Sequence, residues 1–378
     1  MWCAATWVRR GERAVRTPYS PLAGNRAATF PSQLLGWDTD VVNTVQFSNH
    51  TGYRRWGGMR MDEAHLEDLF AHMDMNGVLP HARVLTGTPH ARSGQGSADP
   101  PGYTPSPGAL ATVKRLIERL RSENADLVYL LDPVMGDMSR GMYVNPEVLP
   151  IYRSMLPLAT IICPNQFEAQ QLAGQEITSL RTLQEVLQRL HSHYGARHIV
   201  ITSVELPDAD LRTIGASRTL PDGRPAMVLV GSSCEARDAA LKPWFLQFPE
   251  LGDYFVGVGD LFSALTLARF AERPEELPAQ ARTAAERVAP ASPEECALPI
   301  ARAAALAVAS VQGVLHRTLN EMHAGAAAAG VDPLQSTADA PLEENVAVMR
   351  LRELRIVQSA GEILAPEVVH RPRWMPRV

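Results

Sequence analysis

Leu127-Val128-Tyr129-Leu130-Leu131-Asp132-Pro133-Val134-Met135-Gly136-Asp137 is an apolar run that breaks off into acids, a proline and a glycine. Its first part has the composition of a strand buried on both faces, as in a parallel sheet. Its second part reads as a strand exit, where Asp and Pro turn the chain. The pattern recurs: Arg83–Leu85 runs into Thr86-Gly87, Ala159–Ile162 into Cys163-Pro164-Asn165-Gln166-Phe167-Glu168, and His198–Ile201 into Thr202-Ser203. Asp40–Val45 and Ala226–Val230 are further runs read as buried parallel strands. Most alternate with amphipathic helical patterns over Met61–Met75, Pro107–Arg121, Phe167–Ala173 and Leu180–His193; later helices are read at Asp260–Phe270 and Ile300–Met322. Such alternation predicts an α/β fold with a mostly parallel central sheet covered by helices on both faces.

In an open sheet of this kind, ligands gather outside the carboxyl ends of the strands. The acids, amides and hydroxyls at several exits would therefore converge. Asp132, Asp137 and Glu168 are hard oxygen ligands, suited to Mg²⁺ held largely through water and nucleotide phosphates. Asn165 and Thr202 offer neutral hydrogen bonds to phosphate oxygens. Each of these residues taken singly also fits a turn or a helix cap.

A second signal lies downstream. Gly257-Val258-Gly259-Asp260 leads straight into Leu261-Phe262-Ser263-Ala264-Leu265, a glycine turn opening a helix. Glycine allows close backbone approach, and the first N–H groups of a helix have no intrahelical partner, so such a start is a ready phosphate site. Asp260 beside that phosphate is placed to take a proton from an attacking alcohol. A third signal is Gln46-Phe47-Ser48-Asn49-His50-Thr51-Gly52-Tyr53, where rings, hydroxyls, an amide and an imidazole crowd together. Phe47, Asn49 and His50 suit a polar heteroaromatic substrate. The alternative reading is a self-capped loop with His50 bonded to its own backbone.

Composition bounds the function. With a formal net charge of -5 the chain has no electrostatic case for binding nucleic acid. Its two lysines, Lys114 and Lys242, follow no Gly-x-x-x-x-Gly pattern, which excludes a P-loop. Cys3, Cys163, Cys234 and Cys296 show no metal-type spacing and no disulfide framework, which fits a cytoplasmic setting. A mitochondrial presequence is the less favoured reading of the Arg-rich start, and no apolar run has the length of a membrane span.

Four blocks carry a resemblance to the pyridoxal kinases of the ribokinase superfamily. They are Gly24–Pro31 continuing through Val42–Tyr53, Tyr129–Asp137, Pro164–Glu168 with Ile201–Ser203, and Phe255–Leu265; further similarity appears at Arg352–Ser359. The resemblance implies a ribokinase-like three-layer sandwich. It implies phosphorylation by ATP of the 5′-hydroxymethyl group of pyridoxal, pyridoxine or pyridoxamine, in vitamin B6 salvage. By that resemblance Asp260 would be the general base, Gly257, Val258 and Gly259 the anion hole, and Thr51 a contact to the substrate ring. Asp132, Asn165, Thr202 and Ser203 would meet ATP, while Asp132, Asp137 and Glu168 would help bind a divalent ion, with K⁺ or Na⁺ beside it. Relatives of this kind are commonly cytoplasmic, also nuclear, homodimers.

The chain departs from the family at several places. Arg16 and Thr17 stand where a Ser-His pair is expected, and the Arg- and Pro-containing stretch Arg13–Pro21 makes no buried strand, which leaves the first strand unassigned. Val258 replaces a Thr, and Cys163 replaces a Thr before Pro164, where a thiol is a poor ligand for Mg²⁺. Residues 1–23 are read as an atypical, disordered start, 24–369 as the kinase-like domain, and 370–378 as a tail. Insertions are read at 88–102 and 272–295. Leu206–Arg224 is read as a further surface insertion and Ala324–Ala340 as a flexible tether. A hydroxymethylpyrimidine kinase and a catalytically weak, nucleotide-binding dimeric regulator or scaffold are the competing readings.

Overall fold

The computed structural model describes residues 4–9, 25–87, 106–234, 241–252, 255–286, 288, 290–330, 332 and 341–376. The chain enters with β1 (Ala4–Arg9) and α1 (Asn25–Leu34), then β2 (Asp38–Asn43) and a hairpin of β3 (Val45–Phe47) and β4 (Gly58–Arg60). Next comes α2 (Glu63–Met75), started by Asp62, whose side chain accepts from the His65 N–H. β5 (Arg83–Gly87) and α3 (Pro107–Glu123) follow, the helix opening with a Ser106 cap and a first-turn proline. β6 (Val128–Leu131), a small pair β7 (Gly136–Asp137) and β8 (Gly141–Met142), α4 (Val148–Met155) and β9 (Ile161–Ile162) come next. Then follow α5 (Gln166–Ala173), α6 (Leu180–Ser192), β10 (His198–Ile201), α7 (Asp208–Ile214), β11 (Ala226–Ser233) and β12 (Lys242–Pro249). The chain closes with α8 (Val258–Arg269), α9 (Ala279–Glu286), α10 (Pro299–Ala329), α11 (Leu342–Leu351), α12 (Ala360–Leu364) and β13 (Arg373–Trp374).

Nine strands form one sheet in the order β13-β12-β11-β10-β9-β6-β5-β1-β2. The centre, β5-β6-β9-β10, is parallel. Its strands alternate faces, so each contributes to two cores. Val84, Tyr129, Leu131, Ile162, Ile199 and Ile201 pack with α2 to α7 on one side. Leu85, Leu130, Ile161 and Val200 pack with α1, α8, α9 and α10 on the other. This is the three-layer sandwich expected from the sequence. The parallel centre leaves the carboxyl ends of β5, β6, β9 and β10 side by side, and these are the exits carrying Gly87, Asp132, Cys163 and Thr202.

Several sequence expectations are corrected. Ala226–Val230 lies in β11, which runs antiparallel to β10 and is paired on its other side, also antiparallel, with β12, a strand the sequence reading did not assign. An apolar run of the same composition serves either direction, so composition does not fix orientation. Ala4–Arg9, placed outside the fold by the sequence reading, forms β1, antiparallel to both β2 and β5. Its Thr6-Trp7-Val8 core has strand-type residues, and the position between the two neighbours satisfies both of its edges. The stretch Leu206–Arg224 contains α7, which buries Leu211 and Ile214. The stretch 272–295 contains α9, and Leu277, Ala281 and Ala284 join the core. Both were read as surface because small and polar residues outnumber the few buried contacts. α10 continues to Ala329 and ends at Gly330, with φ of 64°, so the first part of the Ala tract is helix. In the C-terminal tail, β13 pairs with the edge of β12 and Met375 is buried. The insertion at 88–102 lies outside the described residues. Among the described residues no helix is long and apolar enough to cross a membrane.

Candidate active site

α8 is held firmly at its end and open at its start. Gly257 caps the start with φ of 92°, a left-handed conformation that suits glycine. The Leu261 N–H donates to the Gly257 carbonyl at 3.0 Å as the helix begins, so the N–H groups of Val258, Gly259 and Asp260 precede the intrahelical ladder. At the other end the buried Arg83 guanidinium donates to the carbonyls of Leu267 (3.0 Å) and Phe270 (2.6 Å). It also sits 4.5 Å over the Trp37 ring, and Trp37 Nε1–H donates to Ala268 O at 2.9 Å. Burial lowers the Arg83 pKa to about 10, which leaves it cationic at neutral pH. A positive charge at the C-terminus complements the helix dipole, while the first N–H groups at the opposite end are the ones suited to an anion.

Two carboxylates meet beside that open end. Asp260 lies in the first turn, and burial raises its pKa to about 6. One turn on, the Ser263 hydroxyl donates to Asp132 Oδ2 at 3.0 Å, which joins α8 to the exit of β6. Burial pushes the Asp132 pKa well up; the Glu168 and Asp260 charges add to that, and the Ser263 bond opposes it. Cys163 is buried there too, its thiol raised by burial and by Asp132. A side-chain carbon on Gly87 would meet Asp132 Cβ at 3.4 Å, so the end of β5 borders the same spot.

The remaining strand-end residues form the scaffold of that spot. Glu168 Oε1 accepts from the Met135 N–H and Oε2 from the Asn165 N–H, each at 2.8 Å. Asn165 Oδ1 in turn accepts from the Glu168 N–H at 2.9 Å, completing a capping box that starts α5. Asn165 Nδ2 also donates to Gly136 O at 2.7 Å, tying the β6 exit to α5. Burial raises the Glu168 pKa to about 8, although the backbone donors pull the other way. Asp137 Oδ1 accepts from Ser139 N–H, Ser139 O–H and Arg140 N–H, which makes it the pivot of the turn between β7 and β8. Thr202 donates its N–H to Pro164 O at 3.0 Å, and Thr202 and Ser203 stay half-exposed. Thus Asp260, Asp132 and Glu168 come together. Asn165, Asp137 and Thr202 flank them and hold the loops. Among the described residues, no three metal-binding side chains form a ready cluster.

The Phe47–Tyr53 stretch adjoins this end. Phe47 is buried with Val45, and Trp56 and Val256 pack on the pair. Val256 immediately precedes the Gly257 cap, so the hairpin and the glycine turn share one small core. Asn49 Nδ2 donates to the carbonyls of His50 (3.1 Å) and Arg55 (2.7 Å), and its Oδ1 accepts from Ser48 O–H at 2.7 Å. His50 is buried, and its Nδ1 accepts from the Gly52 N–H at 3.2 Å. The self-capped alternative is therefore what the structure shows for these two side chains. Desolvation lowers the His50 pKa to about 4. Thr51 opens a short 3-10 turn through Tyr53; its side chain lies outside the described residues.

Ser263 was not singled out from the sequence, although its i+3 spacing from Asp260 places both on one helix face. Nothing in the sequence signals the partners of Tyr53, because Glu353, which accepts from its hydroxyl at 2.8 Å, lies 300 positions away.

A family model described as phosphomethylpyrimidine kinase matches residues 108–219. A sheep (Ovis aries) pyridoxal kinase is 36% identical over 355 residues, covering 92% of this chain and 92% of its own length. The human (Homo sapiens) pyridoxal kinase is 34% identical over 353 residues, with 92% of each chain covered. Among solved structures, a Leishmania donovani pyridoxal kinase in complex with ADP superposes with a TM-score of 0.64 at 25% identity, over 94% of this chain and 97% of its own.

Proposed function

The chain belongs to the pyridoxal kinase family, and from that premise we propose that it transfers the terminal phosphoryl group of ATP to the 5′-hydroxymethyl oxygen of pyridoxal, pyridoxine or pyridoxamine. The observation that carries the reading is the Ser263 bridge, which sets Asp132 next to the open start of α8 where Asp260 stands. Phosphoryl transfer asks a protein chiefly for positioning and for stabilisation of charge.

Asp260 accepts the hydroxymethyl proton as the oxygen bonds to the terminal phosphorus, and ADP leaves with the former bridging oxygen. Its pKa near 6 suits a base that is mostly ionised at neutral pH and still able to hold a proton in the transition state. The N–H groups of Val258 and Gly259 supply the anion hole, aimed where negative charge develops. Val258 takes part through its backbone, so its apolar side chain is compatible with that role.

A divalent cation fits the Asp132 side of the site. Among the described residues the charges that shift Asp132 are carboxylates, and a cation carried by nucleotide phosphates offsets that accumulation. Bound there, it would neutralise charge on the transferring phosphate. Asp132 is the direct ligand in this reading. Glu168 and Asp137, whose oxygens already accept backbone N–H groups, act through water and by holding the loop. Asn165, Thr202 and Ser203 border the nucleotide.

Purified protein with ATP, Mg²⁺ and pyridoxal should form pyridoxal 5′-phosphate, followed by its absorbance; no product with any of the three vitamers sinks the proposal. The family model matched at residues 108–219 favours a second substrate class, hydroxymethylpyrimidine. Competition between the two alcohols decides, and pyridoxal is expected to win.

A further inference from the structure

We infer that Glu353 is a positioning residue for the vitamer: it straps the Ser48–Trp56 loop to the C-terminal helices and so sets affinity for the ring without setting affinity for the nucleotide. This rests on the proposed function above and adds a specificity determinant to it.

The apolar anchors of the loop, Phe47 and Trp56, stand at its two ends and pack on each other. What fixes its Gly52–Tyr53 end comes from far along the chain. Glu353 Oε1 accepts from the Tyr53 hydroxyl at 2.8 Å and lies 3.8 Å from His50 Nε2. His50 Nδ1 already accepts from the Gly52 N–H, which places the proton of the neutral ring on Nε2, the nitrogen nearer Glu353. The Tyr53 and His50 rings lie 4.6 Å apart, centroid to centroid, so the oxygen that holds the Tyr53 hydroxyl also faces the His50 ring packed beside it. Asn345 of α11 adds a bond to the Gly52 carbonyl at 3.2 Å.

Glu353 is itself held. The Arg355 N–H donates to the Thr318 hydroxyl at 3.0 Å, and its guanidinium bonds Glu321 at 2.9 Å and the Glu353 carbonyl at 2.7 Å. Thr318 and Glu321 belong to α10, which packs along α8. The strap therefore runs from the helix beside the phosphate site to the loop beside the ring. His50 and Tyr53 flank Thr51 and Gly52, so release of either frees the segment that is to meet the vitamer. The nucleotide side, built on β6, β9 and α5, shares none of these bonds.

The test uses the full chain with Glu353→Ala, Glu353→Gln, Tyr53→Phe and the double variant Tyr53→Phe/Glu353→Ala. KM for pyridoxal and for ATP are measured separately, with amide exchange over the loop. Glu353→Ala is expected to raise the pyridoxal KM about tenfold, leaving the ATP KM and kcat within about twofold, a loss of ground-state binding confined to one substrate. Glu353→Gln, which keeps an acceptor for Tyr53, should recover most of the loss. Tyr53→Phe removes one hydroxyl and keeps the fold; its effect should not add to that of Glu353→Ala, since the two share one interaction. Amide exchange at residues 48–57 should quicken in Glu353→Ala, a readout independent of turnover. An unchanged pyridoxal KM in Glu353→Ala overturns the inference, as do two KM values rising together or fully additive effects. If the wild-type chain turns over pyridoxal and the variants match it, the strap alone falls. If the wild type turns over no vitamer, the proposed function falls with it.

Discussion

At the start of α8, Asp260 and Asp132 are carboxylates whose charged neighbours include other carboxylates. In the Ser48–Trp56 loop, Asn49 is bonded to the backbone and the Ser48 hydroxyl of its own loop, and His50 accepts from the Gly52 N–H with its other ring nitrogen facing Glu353. Both regions drew attention in the sequence through polar residues gathered beside apolar stretches: Asp132 at a strand exit with Asp260 at a glycine turn, and the Gln46–Tyr53 block after Asp40–Val45. The structure separates them by what the polar groups do. A buried carboxylate that its surroundings disfavour stores a demand for something else, a proton or a cation. An imidazole or amide whose polar atoms already face protein partners is part of the architecture. Unmet electrostatic demand is thus the better marker of a site than polar density.

The sharpest way to break the comparison is Asp260→Asn. If Asp260 is the base, this near-isosteric change should lower kcat by a factor of about 10³ with the ATP KM little altered. It should also leave the fold at least as stable at pH 8, because it removes a carboxylate that burial disfavours. An activity loss under tenfold would return Asp260 to the class of residues that merely shape the turn.

Gly136→Ala should come next. A Cβ there would sit 2.3 Å from the Phe167 ring and 2.4 Å from the Gly141 carbonyl, so ring or backbone must shift. Overpacking of this kind costs about 1–3 kcal/mol, and here it displaces the loop that Asn165 and Glu168 hold. Chemical denaturation should show the loss, and the ATP KM should rise with it. An unchanged ATP KM would mean that the β6 exit does not frame the nucleotide side.

Asn49→Ala addresses the loop. Losing donors to two carbonyls costs about 1 kcal/mol per bond in favourable cases, less where water replaces them. Faster amide exchange over residues 48–57 should accompany any rise in the pyridoxal KM. A raised KM with exchange unchanged would show Asn49 touching the ring directly and would restore the functional reading of that side chain.

How much of this was legible follows from the range of the interactions involved. α3 and α6 declared themselves through amphipathic periodicity, all within one stretch of chain. β10 was read residue for residue from His198 to Ile201. The direction of β11 was not, because a buried apolar strand looks alike whether its neighbour is parallel or antiparallel. β13 is recognised by the free edge of β12, which is a property of another segment. α9 escaped because its Ala-rich sequence buries a face too thin to stand out from a linker. At the site, the Gly257–Asp260 turn was legible because helix starts are local. Ser263 was within reach through helix spacing. The choice between a functional and a self-capped His50 required knowing that the Gly52 N–H donates to it, and the role of Tyr53 required a partner from the far end of the chain.

The smallest expected effect compares the two regions through pH. Asp260 binds its proton more tightly in the fold, with a pKa raised by burial from 3.8 to about 6. Between those values the folded chain holds more protons than the unfolded one, so this group's contribution to stability is lost as pH rises through about 6. His50 does the reverse. Desolvation lowers its pKa from 6.5 to about 4, so the unfolded chain holds more protons in that interval and stability falls as pH drops. The two contributions oppose each other over nearly the same window and largely cancel in the wild type. Asp260→Asn should therefore leave a melting temperature that falls more steeply on acidification from pH 6.5 to 4.5. His50→Asn, which keeps an acceptor near the Gly52 N–H, should leave one that falls less steeply. For a chain of this length each difference should amount to about 1–3 °C across the window, within reach of scanning calorimetry on paired samples. Equal slopes in the two variants would mean that the carboxylate and the imidazole are equally well answered by their surroundings, and that the contrast between the two ends of the site does not exist.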